Sequence, residues 1–167
     1  MLIARLRTVG VTGVAAVLLG GCGGSVKGTP VAELWDPCSI PSNALVGAGI
    51  DPAPLGSDKN PASTAAEAAF CTYATDSFDL TVYSFRAPMD ARSTPEEARE
   101  EIEVGGRGAI RFDRPITPTW VSCIVGIDAR SSSVELEARP DIVTPSNEDP
   151  CSVATKLTEL LLPHLPR

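Results

Sequence analysis

The chain has 167 residues, with 14 basic and 21 acidic side chains, a net charge of −7 and only 5% aromatic residues. No Lys/Arg cluster is present to neutralise phosphates or anionic head groups, which argues against a nucleic-acid partner and against polybasic attraction to a membrane. The length suits one domain, and its core must come mainly from Val, Leu, Ile and Ala.

Arg5 and Arg7 precede an uncharged apolar run, Val9 to Leu19. This is the pattern of a secretory signal, and it is too short to cross a bilayer as a helix. Leu19-Gly20-Gly21-Cys22 follows: an aliphatic residue, two small residues, then cysteine. That order suits transfer of diacylglycerol to the Cys22 thiol and cleavage between Gly21 and Cys22, because small side chains let the backbone enter a peptidase site. Residues 1–21 therefore read as a lipoprotein signal peptide. Two acyl chains hold a protein on a membrane where one does not. The expected location is thus the extracytoplasmic face of the cell membrane, with the lipid on Cys22 as anchor. Residues 22–35, rich in Gly, Ser and Thr, read as a flexible tether, and 36–167 as a single α+β extracytoplasmic domain.

Four cysteines remain: Cys38, Cys71, Cys123 and Cys151. An even number in an oxidising compartment reads as two disulfides. Their wide, single spacing is unlike a zinc site. Three connectivities are open. Asp36-Pro37-Cys38-Ser39 and Asp149-Pro150-Cys151-Ser152 share a helix-start pattern, with Asp as cap and Pro at the first position, while Cys71 and Cys123 lie in strand-like runs. The favoured pairing, Cys38–Cys71 and Cys123–Cys151, staples each helix start to a strand.

Along the domain, Ser42 to Val46 reads as a short helix ended by glycines, and residues 51–64 as a Pro-, Asp- and Ser-rich loop. Ala68 to Ala74 and Phe78 to Phe85 flank the turn signal Asp76-Ser77 and read as a hairpin. Thr94-Pro95-Glu96-Glu97 predicts a capped helix to about Ile102 with an acidic exposed face. Gly105-Gly106-Arg107-Gly108 reads as a tight connection, and Ala109 to Phe112 as a short strand. Trp120 to Asp128 and Ser132 to Arg139 alternate apolar and polar residues. They predict a second hairpin with one face buried and one wet. Asp149 to about Leu162 reads as an amphipathic helix, with Val153, Leu157, Leu160 and Leu161 inward. The sum is an α+β fold: an antiparallel sheet of about five strands with helices packed on one face.

Taken in order, these residues resemble a known family: the 19–22 motif, the Ser-Val-x-Gly-Thr-Pro tether Ser25 to Pro30, the first Asp-Pro-Cys start, Cys71 two residues before Tyr73, Cys123 on a strand, and the closing Asp-Pro-Cys-x-x-Ala helix. They resemble the actinobacterial lipoprotein family of the domain of unknown function 3558, which includes LprB- and LprC-type mycobacterial lipoproteins. Tyr73 departs from the Trp more usual there. The resemblance implies a membrane-anchored envelope protein with two disulfides and no assigned activity, and it supplies no catalytic residues.

Little in the chain suggests catalysis. His164 is the sole histidine and sits between Pro163 and Leu165 near the C-terminus, a poor place for a preorganised base. Glu96, Glu97, Glu100, Glu101 and Glu103 read as a solvated helix face rather than as a glycosidase pair. Ser146-Asn147-Glu148-Asp149 reads as a loop entering a helix cap, and Trp35 and Trp120 as packing residues. No cofactor or metal is implied. The expectation is a non-enzymatic module that binds an envelope protein, glycan or lipid. The alternatives are a carrier of lipid or another apolar ligand and, third, an envelope hydrolase or transferase.

Overall fold

The computed structural model describes residues 34–58, 68–90, 99–144 and 146–167. The expected signal peptide, Cys22, most of the expected tether, the end of the 51–64 loop and the expected capping box at Thr94 lie outside them. The described residues belong to one unit, Ala32–Arg167.

A single 3₁₀ turn, Pro37–Ser39, opens the fold, and the Asp36 carboxylate accepts from the Cys38 N–H at 2.9 Å. Helix α1 follows at Ser42–Gly47. Then come seven strands: β1 Gly56–Asp58, β2 Ala68–Ala74, β3 Phe78–Phe85, β4 Arg99–Val104, β5 Arg107–Thr117, β6 Trp120–Ala129 and β7 Ser132–Pro140. Helix α2, Pro150–Leu161, comes last, with a 3₁₀ turn at Leu162–His164. The strands make one antiparallel sheet in the order β1-β2-β3-β7-β6-β5-β4.

This overturns the expected α+β architecture of about five strands with helices packed on one face. The fold is mostly sheet, and the described residues hold two short α-helices. Three segments account for the difference. The predicted helix ending near Ile102 is strand over its described part, because Gly105 and Gly106 both take positive φ (53° and 80°). Two such residues close a tight hairpin whose twist matches the strands, and β4 then pairs β5 from Val104↔Arg107 to Arg99↔Phe112. Ile102 and Val104 alternate with Glu101 and Glu103, a strand period that the acidic composition masks. The expected short strand Ala109 to Phe112 runs on to Thr117, since β6 continues to pair it beyond the end of β4. Pro115 is tolerated there because it lies beside a register shift and past the last β4 partner. The loop at 51–64 contains β1, a three-residue edge strand on β2. The hairpins β2–β3 and β6–β7 and both helices fall close to their predicted places.

One face of the sheet carries the main core. Tyr73, Leu80, Val82, Val125, Ile127, Leu136 and Ala138 pack there against Ala154, Leu157 and Leu161 of α2. Each fully buried aliphatic side chain contributes roughly 1.5–3 kcal/mol. Within α2, Thr158 rather than Leu160 is buried. Its hydroxyl donates to the Ala154 carbonyl at 2.7 Å, while Leu160 is 46% exposed. Asp149 caps the helix through the Ser152 N–H at 2.9 Å, which holds its carboxyl below the usual range. Cys38 bonds Cys71 with Cα atoms 5.3 Å apart, and Cys123 bonds Cys151 at 4.9 Å. The first bridge ties the 3₁₀ turn to β2, and the Tyr73 hydroxyl adds a hydrogen bond to the Pro37 carbonyl at 3.0 Å. The second ties α2 to the centre of the sheet. Loops of these lengths give about 3.5–4 kcal/mol per bridge on the chain-entropy account.

The order of strands forces one long connection. The chain leaves β3, which lies beside β7, and re-enters at β4 on the far edge. Its first residues cross the face opposite α2. There the Ala87 carbonyl accepts from the Ser133 hydroxyl at 2.8 Å, and the Met89 N–H donates to the Asp128 carboxylate at 2.7 Å. The Met89 side chain is buried against Phe112 and Ile124. It sits directly on Gly126, where an added Cβ would come within 2.3 Å of the Met89 methyl carbon. Gly126→Ala is therefore expected to destabilise the protein by about 1–3 kcal/mol through overpacking, and Met89→Ala by about 2–5 kcal/mol through the cavity it leaves. In urea melts the double variant should be clearly less destabilised than the sum, because the new methyl enters the space vacated by Met89. Strict additivity would contradict the contact.

Candidate functional site: the second face of the sheet

The face away from α2 was expected to be wet. Pairing register shows which residues share it: Phe70 and Thr72 on β2; Asp79, Thr81, Tyr83 and Phe85 on β3; Glu135, Glu137 and Arg139 on β7; Ser122, Ile124 and Gly126 on β6; Arg114 and Phe112 on β5. Ser122, Ser133, Glu135 and Glu137 are buried, with Glu137 only 8% exposed. The expectation of one wet face on β7 is thus corrected at its centre. Nearby, Ala87 lies on Ser133 and Met89 on Gly126, and alternation alone does not reveal such cover.

At that centre the Glu137 carboxylate gathers three donors. Ser122 Oγ donates to one oxygen at 2.6 Å. The Tyr83 hydroxyl and Arg114 Nη1 each reach the other at 3.1 Å. The three come from β6, β3 and β5, so the cluster spans the seam where the two hairpins join. A buried carboxylate survives only with such partners. Burial, then the charge and hydrogen bond of Glu137, push Tyr83 up to about 12. Its hydroxyl stays a neutral donor across the working pH range. Beside this cluster Arg139 pairs directly across the strands with Asp79 at 2.6 Å, and the Thr72 and Thr81 hydroxyls meet at 3.0 Å. A row of rings borders the polar groups. Phe70 and Tyr83 have centroids 6.1 Å apart, and Tyr83 and Phe85 stack at 5.9 Å. All three are half-buried. On the other flank the Arg99 guanidinium lies over the Phe112 ring at 5.2 Å.

The residues singled out from the sequence lie elsewhere. Cys22 and Gly21, Glu96 and Glu97 are outside the described residues. Glu100, Glu101 and Glu103 are exposed on β4, and His164 is exposed in the last turn. Trp35 packs against the main core. Cys38, Cys71, Cys123 and Cys151 form the two disulfides on the α2 side. Asp113 Oδ1 stands 3.1 Å from Cys151 Sγ, and with Cys123 they cluster closely. A disulfide sulfur has no proton to donate and no thiolate to offer a metal, so this contact is packing. An open depression of about 400 Å³ beside Arg111, Asp113, Asp149 and Cys151 is lined largely by charge.

Sequence reading missed Tyr83, Arg114, Ser122 and Glu137 as a unit. The available signal was faint: two small residues, Ser122 and Gly126, on one face of a strand otherwise rich in β-branched residues. Glu137→Ala is expected to cost about 2–3 kcal/mol, since the partially exposed Arg114 softens the loss that a wholly buried pair would show. Equilibrium urea unfolding measures it. In an absorbance titration at alkaline pH, where burial raises Tyr73 as well, the folded protein should keep the Tyr83 phenol protonated to about 12, and the difference between wild type and Tyr83→Phe should show that step. The sign follows from the raised value. The neutral phenol is favoured in the folded state, so stability holds below 10 and falls as pH rises toward 12. A phenol at this position titrating at the ordinary 10 would contradict the network.

No curated protein and no solved structure matches this chain. A family model does, over residues 17–164. The match takes in both disulfides, all seven strands and α2, so it concerns the whole fold described above. The chain belongs to the DUF3558 family, whose model is described as a protein of unknown function.

Proposed function

We propose that the protein is a lipid-anchored module on the extracytoplasmic face of the cell membrane. In this reading it works by binding a component of the envelope and not by catalysis. The anchor is Cys22, in an aliphatic-small-small-Cys motif behind a charged and then apolar leader. The same motif underlies the likeness to actinobacterial lipoproteins of the LprB and LprC type. Its acidic surface and lack of a basic cluster favour a partner other than nucleic acid.

One observation supports binding over chemistry. The buried carboxylate on the second face, Glu137, already accepts from three donors. A base needs a free lone pair aimed at substrate, and Glu137 is buried with three donors from the sheet directed at its two oxygens. The surrounding rings and hydroxyls, in contrast, suit adhesion. The carrier alternative needs an apolar cavity between helices and sheet, a region where Leu45, Tyr73, Leu136 and Leu161 pack in one cluster. The hydrolase reading would need a cleft with converging carboxylates of raised pKa.

Cells fed labelled palmitate should yield labelled protein in the membrane fraction, while Cys22→Ser should yield an unlabelled, unanchored form. Unlabelled wild-type protein would end the anchor reading. A photo-crosslinking amino acid in place of Thr81, irradiated in intact cells, should capture an envelope component. Clean absence of any adduct would count against a binding role for this face.

A further inference from the structure

We propose that Ile142 and Val143, where the chain leaves β7 for α2, form a second membrane contact that rests the domain on the bilayer carrying its anchor. The inference rests on the anchor reading above and adds to it the end of the domain that faces lipid.

Ile142 and Val143 are the two most exposed large apolar side chains among the described residues, at 77% and 80%. Hydrogen bonds hold them there. The Asp141 N–H donates to the Ser77 carbonyl at 2.9 Å, and the Thr144 hydroxyl lies 3.1 Å from the Asp76 carbonyl. Both ends of the pair are thereby tied to the β2–β3 turn. Within the loop the Val143 N–H donates to the Asp141 carboxylate at 2.8 Å. A backbone donor that loses water without gaining a partner costs free energy, and this one is already satisfied.

The same end of the sheet carries more apolar surface. Phe78 pairs Pro140 there, and Trp120 pairs Thr117, so the β2–β3 turn, the end of β7 and the β5–β6 turn lie together at it. Ile116 and Val121 are 42% and 40% exposed. Trp120 is half-buried beside them in the chain, and Trp favours the boundary between lipid and water.

Area and reach select the occupant. The four aliphatic residues expose on the order of 400 Å² between them, about half of what each partner gives to a standard protein interface. A second copy of the chain would therefore bind weakly through this end alone. A bilayer needs less, because the lipid on Cys22 makes the contact intramolecular. Twelve peptide steps separate Cys22 from Leu34, about 40 Å at full stretch, so the domain stays close to the surface. The chain also enters the fold on this side. The Pro37 carbonyl accepts from the hydroxyl of Tyr73, the residue before the last in β2, next to the β2–β3 turn. Asp76 and Asp141 stand at this end, so the contact draws on aliphatic burial and gains nothing from anionic head groups.

The test uses the full-length protein, with its Cys22 lipid, in phosphatidylcholine nanodiscs doped with a spin-labelled lipid. The Ile, Leu and Val methyl groups are followed by NMR. The Ile142 and Val143 methyls should relax several-fold faster than those of Leu160. That side chain is 46% exposed on the last turn of α2, toward the far end of the sheet where Leu162 meets Gly105. Adding phosphatidylglycerol should not raise the ratio. The double variant Ile142→Ser, Val143→Ser alters exposed side chains only. It should bring the Ile116 methyl down toward the Leu160 rate, because the domain then loses its preferred orientation. Equal relaxation of the 142–143 methyls and Leu160 in the wild type overturns the inference. So does a photo-crosslinker at position 142 that, in intact cells, captures protein and no lipid. Lipidated protein with either result leaves the anchor reading standing, whereas protein isolated without lipid on Cys22 removes both.

Discussion

Strand β7 is the constraint on which the rest depends. It pairs β3 along its whole length on one side and β6 on the other. Without it the chain would be two separate meanders, β1–β2–β3 and β4–β5–β6, neither able to cover α2. The pairing is non-local, joining residues near 80 to residues near 137, and it creates both the core surface and the second face. It also dictates the long return from β3 to β4. Three strands separate β3 from β4, and the first residues of the connection lie on the face that α2 leaves open. Gly126 is the accommodation: a strand residue without a side chain, over which Met89 seats.

The polar cluster follows from the same seam. Glu137 sits on the strand that joins the meanders, so its three donors come from both of them. A carboxylate that is shielded and hydrogen-bonded across three neighbouring strands fixes register, because a one-residue slip would turn it toward the aliphatic core. The disulfides act at the other side of the sheet and on different terms. Each ties a peripheral turn or helix start to a strand, limiting the unfolded chain, whereas the Glu137 cluster discriminates among folded arrangements. Stability and specificity thus rest on opposite faces.

Several features were legible from residues alone. The hairpins β2–β3 and β6–β7 follow from two-residue periodicity between turn signals, and α2 from an Asp cap, a Pro at the first position and apolar spacing. Others were not. Residues 99–104 carry four charged side chains in a short stretch, after a textured helix-start signal, and their Ile102/Val104 alternation is too brief to outweigh it. The paired glycines 105 and 106 were visible, yet their effect depends on whether both adopt positive φ. Glu135 and Glu137 looked like the solvent side of a half-buried strand, since nothing local distinguishes a carboxylate facing water from one facing Tyr83, Ser122 and Arg114.

What the chain's order of residues determines by itself are the matters settled among near neighbours: turn closure, the period of a strand, a helix cap, and the spacing of cysteines relative to those elements. The tertiary structure decides which strand lies beside which, which face is shielded, and hence which polar groups must find partners. The physical reason is range. A hydrogen bond within a turn or an i,i+2 alternation is fixed over a few residues, while burial is a property of what comes to lie on top. In this protein the covering residues and the groups they cover are separated by dozens of positions.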